Sequence, residues 1–359
     1  MASERFTVPD DIAVRVPQEA MRTTVENIFG SQGLSDEAAT QAADTLIYAD
    51  LRGIDSHGVS NMFPIYMHWF DEGVINPKAK PTVIREAAAV ATVDDDRGLG
   101  LATGPLAMDM AIAKAAECGI GAVTVTNGRH YGAAGYHAHR AVPHDMIGVS
   151  MTIGGLMVMP TFGSKPMVGL NPIAVAVTGG SQPDFVFDAS MSSVAGNKIR
   201  IAERLGANVL PGWISDGEGN PIMTESPVPE EWWMLPTGGL RDGGSHKGYS
   251  LAMMVDVLCG LLGGDPPGFM RPSGDVSHHF MAYKIDAFCD VAEFTEHMDQ
   301  FLTGLIETPP AGDHDRVVYA GLTAAETEVD RLARGIPYHP KVVQYFKDTA
   351  AAVGVACAL

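Results

Sequence analysis

Apolar side chains recur at helical spacing over roughly the first 75 residues. Pro17 stands at a helix start, and Ala20, Val25, Ile28 and Phe29 form an apolar stripe that ends at Gly30. Ser35 reads as an N-cap. Asp36 and Glu37 follow in a first turn where the helix dipole favours negative charge, and this helix runs toward Asp50. A third helix is expected over Phe63 to Phe70.

The pattern changes after Pro77. Short β-like runs cover Val90 to Val93, Val123 to Thr126, Ile147 to Met151, Ile173 to Val177 and Phe185 to Phe187. Helical runs alternate with them: Pro105 to Cys118, closed by Gly119, then Val194 to Leu205 and Tyr249 to Leu262. The end is helical again over Val291 to Ile306, Ala324 to Ala333 and Lys341 to Val353, with Pro309 to Asp315 as a linker. Strand–helix alternation points to an α/β fold. The simplest organisation is a central α/β domain over 81–307, with a smaller helical domain assembled from 1–80 and 308–359.

Composition narrows the function classes. With 359 residues, 46% hydrophobic and 19% charged, the chain can bury a sizeable core, and its 40 glycines suit Gly-rich loops between packed elements. A formal net charge of -19 leaves no basic footprint for nucleic acid and disfavours an anionic membrane surface. No apolar run is long enough to span a bilayer, and the N-terminus has no secretory apolar core, so a cytoplasmic enzyme is expected. Cys118, Cys259, Cys289 and Cys357 have no metal-site spacing. Cys118 and Cys259 read as small core hydrophobes.

Four Gly-punctuated loops carry candidate chemistry, although each is also compatible with an ordinary turn. The first holds Arg52, Ser56 and His57 between Gly53 and Gly58. Arg52 can bind a carboxylate in bidentate fashion, and His57 titrates near neutral pH. The second runs from Asn127 to Gly135 between a strand and a helix, a natural anion site, with His130 as a general acid or base. His137 and His139 follow at a spacing that puts them on different faces, which argues against a shared metal. The third, Gly238 to Tyr249, opens a helix and contains Lys247, a plausible phosphate cradle. The fourth runs from Asp188 to Lys198. Asp188 at a strand end suits a ribose hydroxyl or a helix cap. No G-x-G-x-x-G fingerprint and no G-x-S-x-G elbow is present, and the adjacent Ser56 and His57 are not expected to face each other as nucleophile and base.

Taken in order, LRGIDSHGV, GLGLA, GRHYGAAGYHAHRA, GLNPIAVA, FDASMSSVAGNKI, GGSHKGYSLAMMVDVLCGLLGG and RGIPY resemble the type 2 malate/L-lactate dehydrogenase family, over roughly Thr40 to Tyr338. The resemblance implies a nicotinamide-binding α/β fold distinct from the Rossmann type, NAD or NADP as cofactor, a small carboxylate substrate and a homodimer. It places proton transfer at His130, with Ser56 and His57 as a second polar pair. It implies substrate binding by Arg52 and Lys198, and cofactor contacts from His130, Tyr131, Gly132, Ala133 and Ala134, from Asp188, Ala189 and Ser190, and from Lys247. This chain has Gly128-Arg129 where the family usually has Ser-Asn, Ser60-Asn61 where an Arg is common, and Asn197 where Gly is usual.

The expected reaction is therefore hydride transfer between a 2-hydroxy acid and its 2-keto acid, with no metal. The alternatives are reduction of a cyclic imino acid or of a keto acid plus amine, a metal-dependent hydrolase or lyase using His57, His130 and Asp188, and an inactive ligand-binding relative.

Overall fold

The computed structural model describes residues 8–272 and 274–359; the first seven residues of the polar N-terminal segment lie outside these. Helices α1 (Gln18–Ser31), α2 (Asp36–Leu51) and α3 (Val59–Asp71) follow a short strand β1 (Val14–Val16). Ser35 caps α2 by accepting the Ala38 amide at 3.3 Å. Strand β1 pairs antiparallel with β15 (Ile336–Tyr338), and α10 (Pro340–Val353) follows directly. The two ends of the chain thus share one core. Phe29, Leu46, Phe63, Tyr66, Tyr338 and Phe346 are all buried in it.

The central sheet has seven strands in the order β2-β3-β4-β14-β5-β8-β9. These are β2 (Thr82–Glu86), β3 (Val90–Asp94), β4 (Ile120–Gly128), β5 (Met146–Thr152), β8 (Ile173–Val177), β9 (Phe185–Ala189) and β14 (Val276–Lys284). Only β3 and β4 run parallel, so the sheet is mixed and mostly antiparallel. Helix α4 (Gly100–Cys118) and the short α5 (Ala134–His139) cover one face; a π-helical turn over Asp256–Gly260 buries Cys259 against Met151 and Ile153 on the sheet. Gly119 closes α4 in the left-handed region at φ 82°. Cys118, expected in the core, is the last residue of α4 and is exposed.

Between β5 and β14 the chain builds a smaller β layer. It contains β6 (Leu156–Val158), β7 (Val168–Gly169), β11 (Ile214–Asp216) and β13 (Trp232–Met234) in one sheet, with β10 (Asn208–Val209) and β12 (Ser226–Pro227) as a separate pair. Helices α6 (Gly196–Leu205) and α7 (Ser245–Val255) flank it, and α8 (Val291–Ile306) and α9 (Leu322–Arg334) lead back to β15. The helix expected over Tyr249 to Leu262 starts earlier, at Ser245, and its α-helical part stops at Val255. Among the described residues no helix is long and apolar enough to cross a membrane.

Candidate active site

The site begins with a buried carboxylate. Asp50, in the last turn of α2, accepts the Val59 amide (3.2 Å) and the Tyr338 hydroxyl (2.7 Å) on one oxygen. A Cβ on Gly58 would overlap its other oxygen, so only glycine fits there. Burial, reinforced by the nearby charge of Asp55, pushes the Asp50 carboxyl up to about 7. Arg331, from α9, donates to the Asp50 carbonyl and pairs with Asp55 at 2.6 Å. Two elements from the C-terminal end thereby fasten the turn that presents Ser56 and His57.

Within that turn the His57 amide donates to the Ile54 carbonyl at 2.9 Å, and Ser56 Oγ lies 2.9 Å from His57 Nδ1. The neighbours do face each other, contrary to the expectation from their adjacency, because the backbone turns back on itself there. The other histidine arrives from β4. The loop after Gly128 is locked by Arg129, which is buried and donates to the Val74 carbonyl (2.9 Å) and to Asp275 (2.5 Å). Gly132 adopts φ 83°, and an added Cβ would lie 2.9 Å from both Leu101 and Thr45. The result is a pair of near-parallel rings, His57 and His130, with centroids 5.7 Å apart and planes 17° apart.

Both rings are partly exposed, and desolvation lowers His57 to about 4 and His130 to about 3. The Nδ1 atom of His130 lies 2.6 Å from the Tyr66 hydroxyl and accepts the more distant Gly132 amide at 3.3 Å. Among the described residues neither Nε2 has a hydrogen-bond partner. Asn197, in the first turn of α6, donates its side-chain amide to the Ser56 carbonyl at 2.8 Å. The helix start that carries Lys198 therefore stands beside the histidine pair. Tyr66 carries no signal in a one-dimensional motif, and Asn197 stands out in the sequence only as a departure from the family pattern; the short hydrogen bond and the α6 contact exist only once α3, α6 and the two loops meet.

Other residues singled out in the sequence are placed differently. Arg52 is buried and ion-paired to Glu328 at 2.6 Å, with its guanidinium 5.3 Å from the Tyr48 ring centre. That pairing ties the guanidinium to α9. Tyr131 is fully buried, sandwiched between His137 (4.3 Å) and His278 (4.5 Å), and its hydroxyl meets Ser150 at 3.0 Å. Its side chain serves the core, and Ala133 and Ala134 are almost as buried. Asp188 ends β9 beside Ala189 and accepts the Gly135 amide of α5 at 2.7 Å; burial raises it to about 6. Ser190 Oγ meets Ser192 Oγ at 3.0 Å. Lys247 is exposed in the first turn of α7, whose N-cap Gly244 has φ 97° and supplies no side-chain cap. His139 bonds Tyr48 (3.3 Å) and Asp184 (2.8 Å), away from His137. Among the described residues no group of three His, Cys, Asp or Glu side chains is arranged to hold a metal ion.

Two imidazoles, each hydrogen-bonded through Nδ1 to a hydroxyl and each with an Nε2 that no described residue meets, form an arrangement that can exchange protons with a bound molecule. The chain belongs to the malate/L-lactate dehydrogenase family, whose model matches residues 16–347. It is 35% identical over 352 residues to the malate dehydrogenase of Pyrococcus horikoshii, covering 96% of this chain and 97% of that one. It is 34% identical over 302 residues to the L-sulfolactate dehydrogenase of Methanocaldococcus jannaschii, covering 82% and 84%. The crystal structure of malate dehydrogenase from Entamoeba histolytica superposes with a TM-score of 0.91 at 29% identity, covering 96% of this chain and 99% of that one. The named relatives are hydroxy-acid dehydrogenases, and dehydrogenases of this family generally use a nicotinamide cofactor.

Proposed function

We propose that this chain is an NAD- or NADP-dependent oxidoreductase that interconverts a small 2-hydroxy acid and its 2-keto acid. The observation that carries this reading is the His57–His130 pair, brought together from two separate loops with each Nε2 unpaired. The donor set suits a dinucleotide. The exposed Lys247 on an uncapped helix start matches a phosphate, and Asp188 matches a ribose hydroxyl, with Ser190 beside it. When bound, the nicotinamide supplies or receives the hydride.

The chain's own residues do the rest. His130 takes the substrate hydroxyl proton at Nε2 in oxidation and returns it in reduction. His57, held by Ser56, hydrogen-bonds the substrate oxygen from the facing ring. A carboxylate beside His130 stabilises its protonated form and raises its depressed affinity for a proton. Lys198, at the start of α6 next to the Asn197 that meets the Ser56 carbonyl, takes the carboxylate. The test is a panel of 2-keto acids and cyclic imines with NADH and with NADPH, read by nicotinamide absorbance. Turnover of a keto acid without added amine is the expected result; turnover of imines alone, or of nothing in the panel, contradicts it.

The same reading includes a homodimer. Leu251, Met253, Met254, Val257 and Leu261 are exposed along α7 and the turns after it, and Phe162 is 88% exposed. Met253, Val257 and Leu261 line one cavity, and exposed apolar surface of this kind marks an interaction site. A cavity of about 240 Å³ lined by Met167, Tyr249, Met253 and Phe269 opens on this face, and neither His57 nor His130 lines it. Sedimentation at twice the chain mass is expected; a monomer at working concentration contradicts this part.

A further inference from the structure

Proton transfer by His130, the reading on which a role for Tyr66 rests, leaves open which ring nitrogen works and what selects it. In a neutral imidazole one nitrogen donates and the other accepts. To take a proton from a hydroxyl, His130 must present a lone pair at its unpaired Nε2, which requires the ring hydrogen on Nδ1. Two groups meet Nδ1: the Tyr66 hydroxyl at 2.6 Å and the Gly132 amide at 3.3 Å. An amide only donates, so Gly132 favours the opposite form, with hydrogen on Nε2. A hydroxyl also accepts, so Tyr66 is the one of the two that can receive an Nδ1 hydrogen.

We propose that Tyr66 is the positioning residue that selects the working tautomer of His130: its phenolic oxygen accepts the Nδ1 hydrogen, leaving Nε2 to exchange the proton with the substrate. In oxidation the substrate O–H bond breaks as the Nε2–H bond forms; in reduction the same proton returns, and Nδ1–H stays on Tyr66 throughout. Tyr66 is fully buried in the first core, with Trp69 edge-on at 5.8 Å, so its oxygen cannot swing away. The other titratable groups that face the ring are His57 from the preceding turn, His137 from α5 and His278 from β14; the Arg129 guanidinium turns away to Asp275. None of these offers Nδ1 an acceptor.

The test is Tyr66→Phe, which keeps the ring and removes the oxygen. Turnover is expected to fall about 10- to 100-fold in both directions, within the range of general acid–base contributions. The acid limb of kcat moves to lower pH, because protonated His130 loses the acceptor of its Nδ1 hydrogen. Cofactor affinity stays close to wild type. Because the variant can misfold, ¹⁵N shifts of labelled histidine in the wild-type enzyme at a pH of about 8, where the ring is neutral, provide a second readout; hydrogen on Nδ1 of His130 is expected. Unchanged turnover, an acid limb that stays or moves upward, or hydrogen on Nε2 in the wild type overturns the proposal. His130→Ala separates the two levels. If that variant is fully active, the reading of His130 fails; if it is inactive while Tyr66→Phe is normal, only the role of Tyr66 fails.

Discussion

The His57–His130 pair and the His137–Tyr131–His278 stack adjoin each other along one loop, yet their ring nitrogens end in different places. In the stack, His278 uses both nitrogens, meeting Thr152 at 2.7 Å and donating to the Arg129 carbonyl at 3.1 Å. His137 meets the Tyr131 carbonyl at 2.9 Å, while its Nδ1 is buried without a partner. The pair instead spends only Nδ1 on the protein, and its rings stay partly exposed. Burial depresses the proton affinity of all four histidines. A shifted pKa therefore does not separate the pair from the stack here; a free nitrogen on a partly exposed ring does.

The largest effect is expected from His130→Ala, which should cut turnover by about 10²–10⁴-fold while leaving cofactor binding nearly intact. Steady-state rates together with a fluorescence titration of the cofactor check this. The matching change in the stack, His278→Ala, should do the reverse to stability. It removes a ring packed at 4.5 Å on Tyr131 and strands polar partners in the core, at a cost of roughly 3 kcal/mol or more by urea unfolding. If both variants lose activity with stability unchanged, the distinction between pair and stack is broken.

A smaller effect sharpens the picture of how the pair is held. Tyr338→Phe removes one donor from buried Asp50 and should cost about 1–3 kcal/mol, with a rise in KM or a fall in kcat as the His57 turn loosens. The smallest effect concerns pH. His57, His130, His137, His278 and His279 bind protons in the unfolded chain near 6.5 but in the fold only near 3 or 4, so their contribution to stability is lost as pH falls below about 6.5. Asp50, Asp95 and Asp188 are raised to about 7, 8 and 6, so their contribution is present in acid and lost as pH rises through those values. With five groups acting one way and three the other, Tm should peak near pH 6.5; calorimetry showing a Tm that climbs steadily to pH 8.5 would contradict this.

Periodicity located the elements with regular surfaces. Val291–Ile306 and Ile173–Val177 coincide with α8 and β8, and Ser35 is the cap it was expected to be. It missed β14, at the centre of the sheet, because Ser277, His278 and His279 do not resemble a buried strand. The fold accommodates those histidines by pairing them with Thr152 and Thr124 across the neighbouring strands. It missed β1 and β15 because three-residue strands carry too little pattern. The histidine residues of the site were visible as loop chemistry between glycines, whereas the fate of Arg52 depended on Glu328 on α9, a partner that spacing along the chain does not reveal.

The central claim is that the two histidine loops enclose a carbon that exchanges a hydride with a nicotinamide. Incubating the protein with a 2-keto acid and cofactor deuterated at the transferring position of C4, then locating the label by NMR, tests it most directly. Deuterium on the carbon that carries the new hydroxyl is the result predicted. Reduced product with no label at that carbon, or no reduction across the keto-acid panel, would contradict the claim.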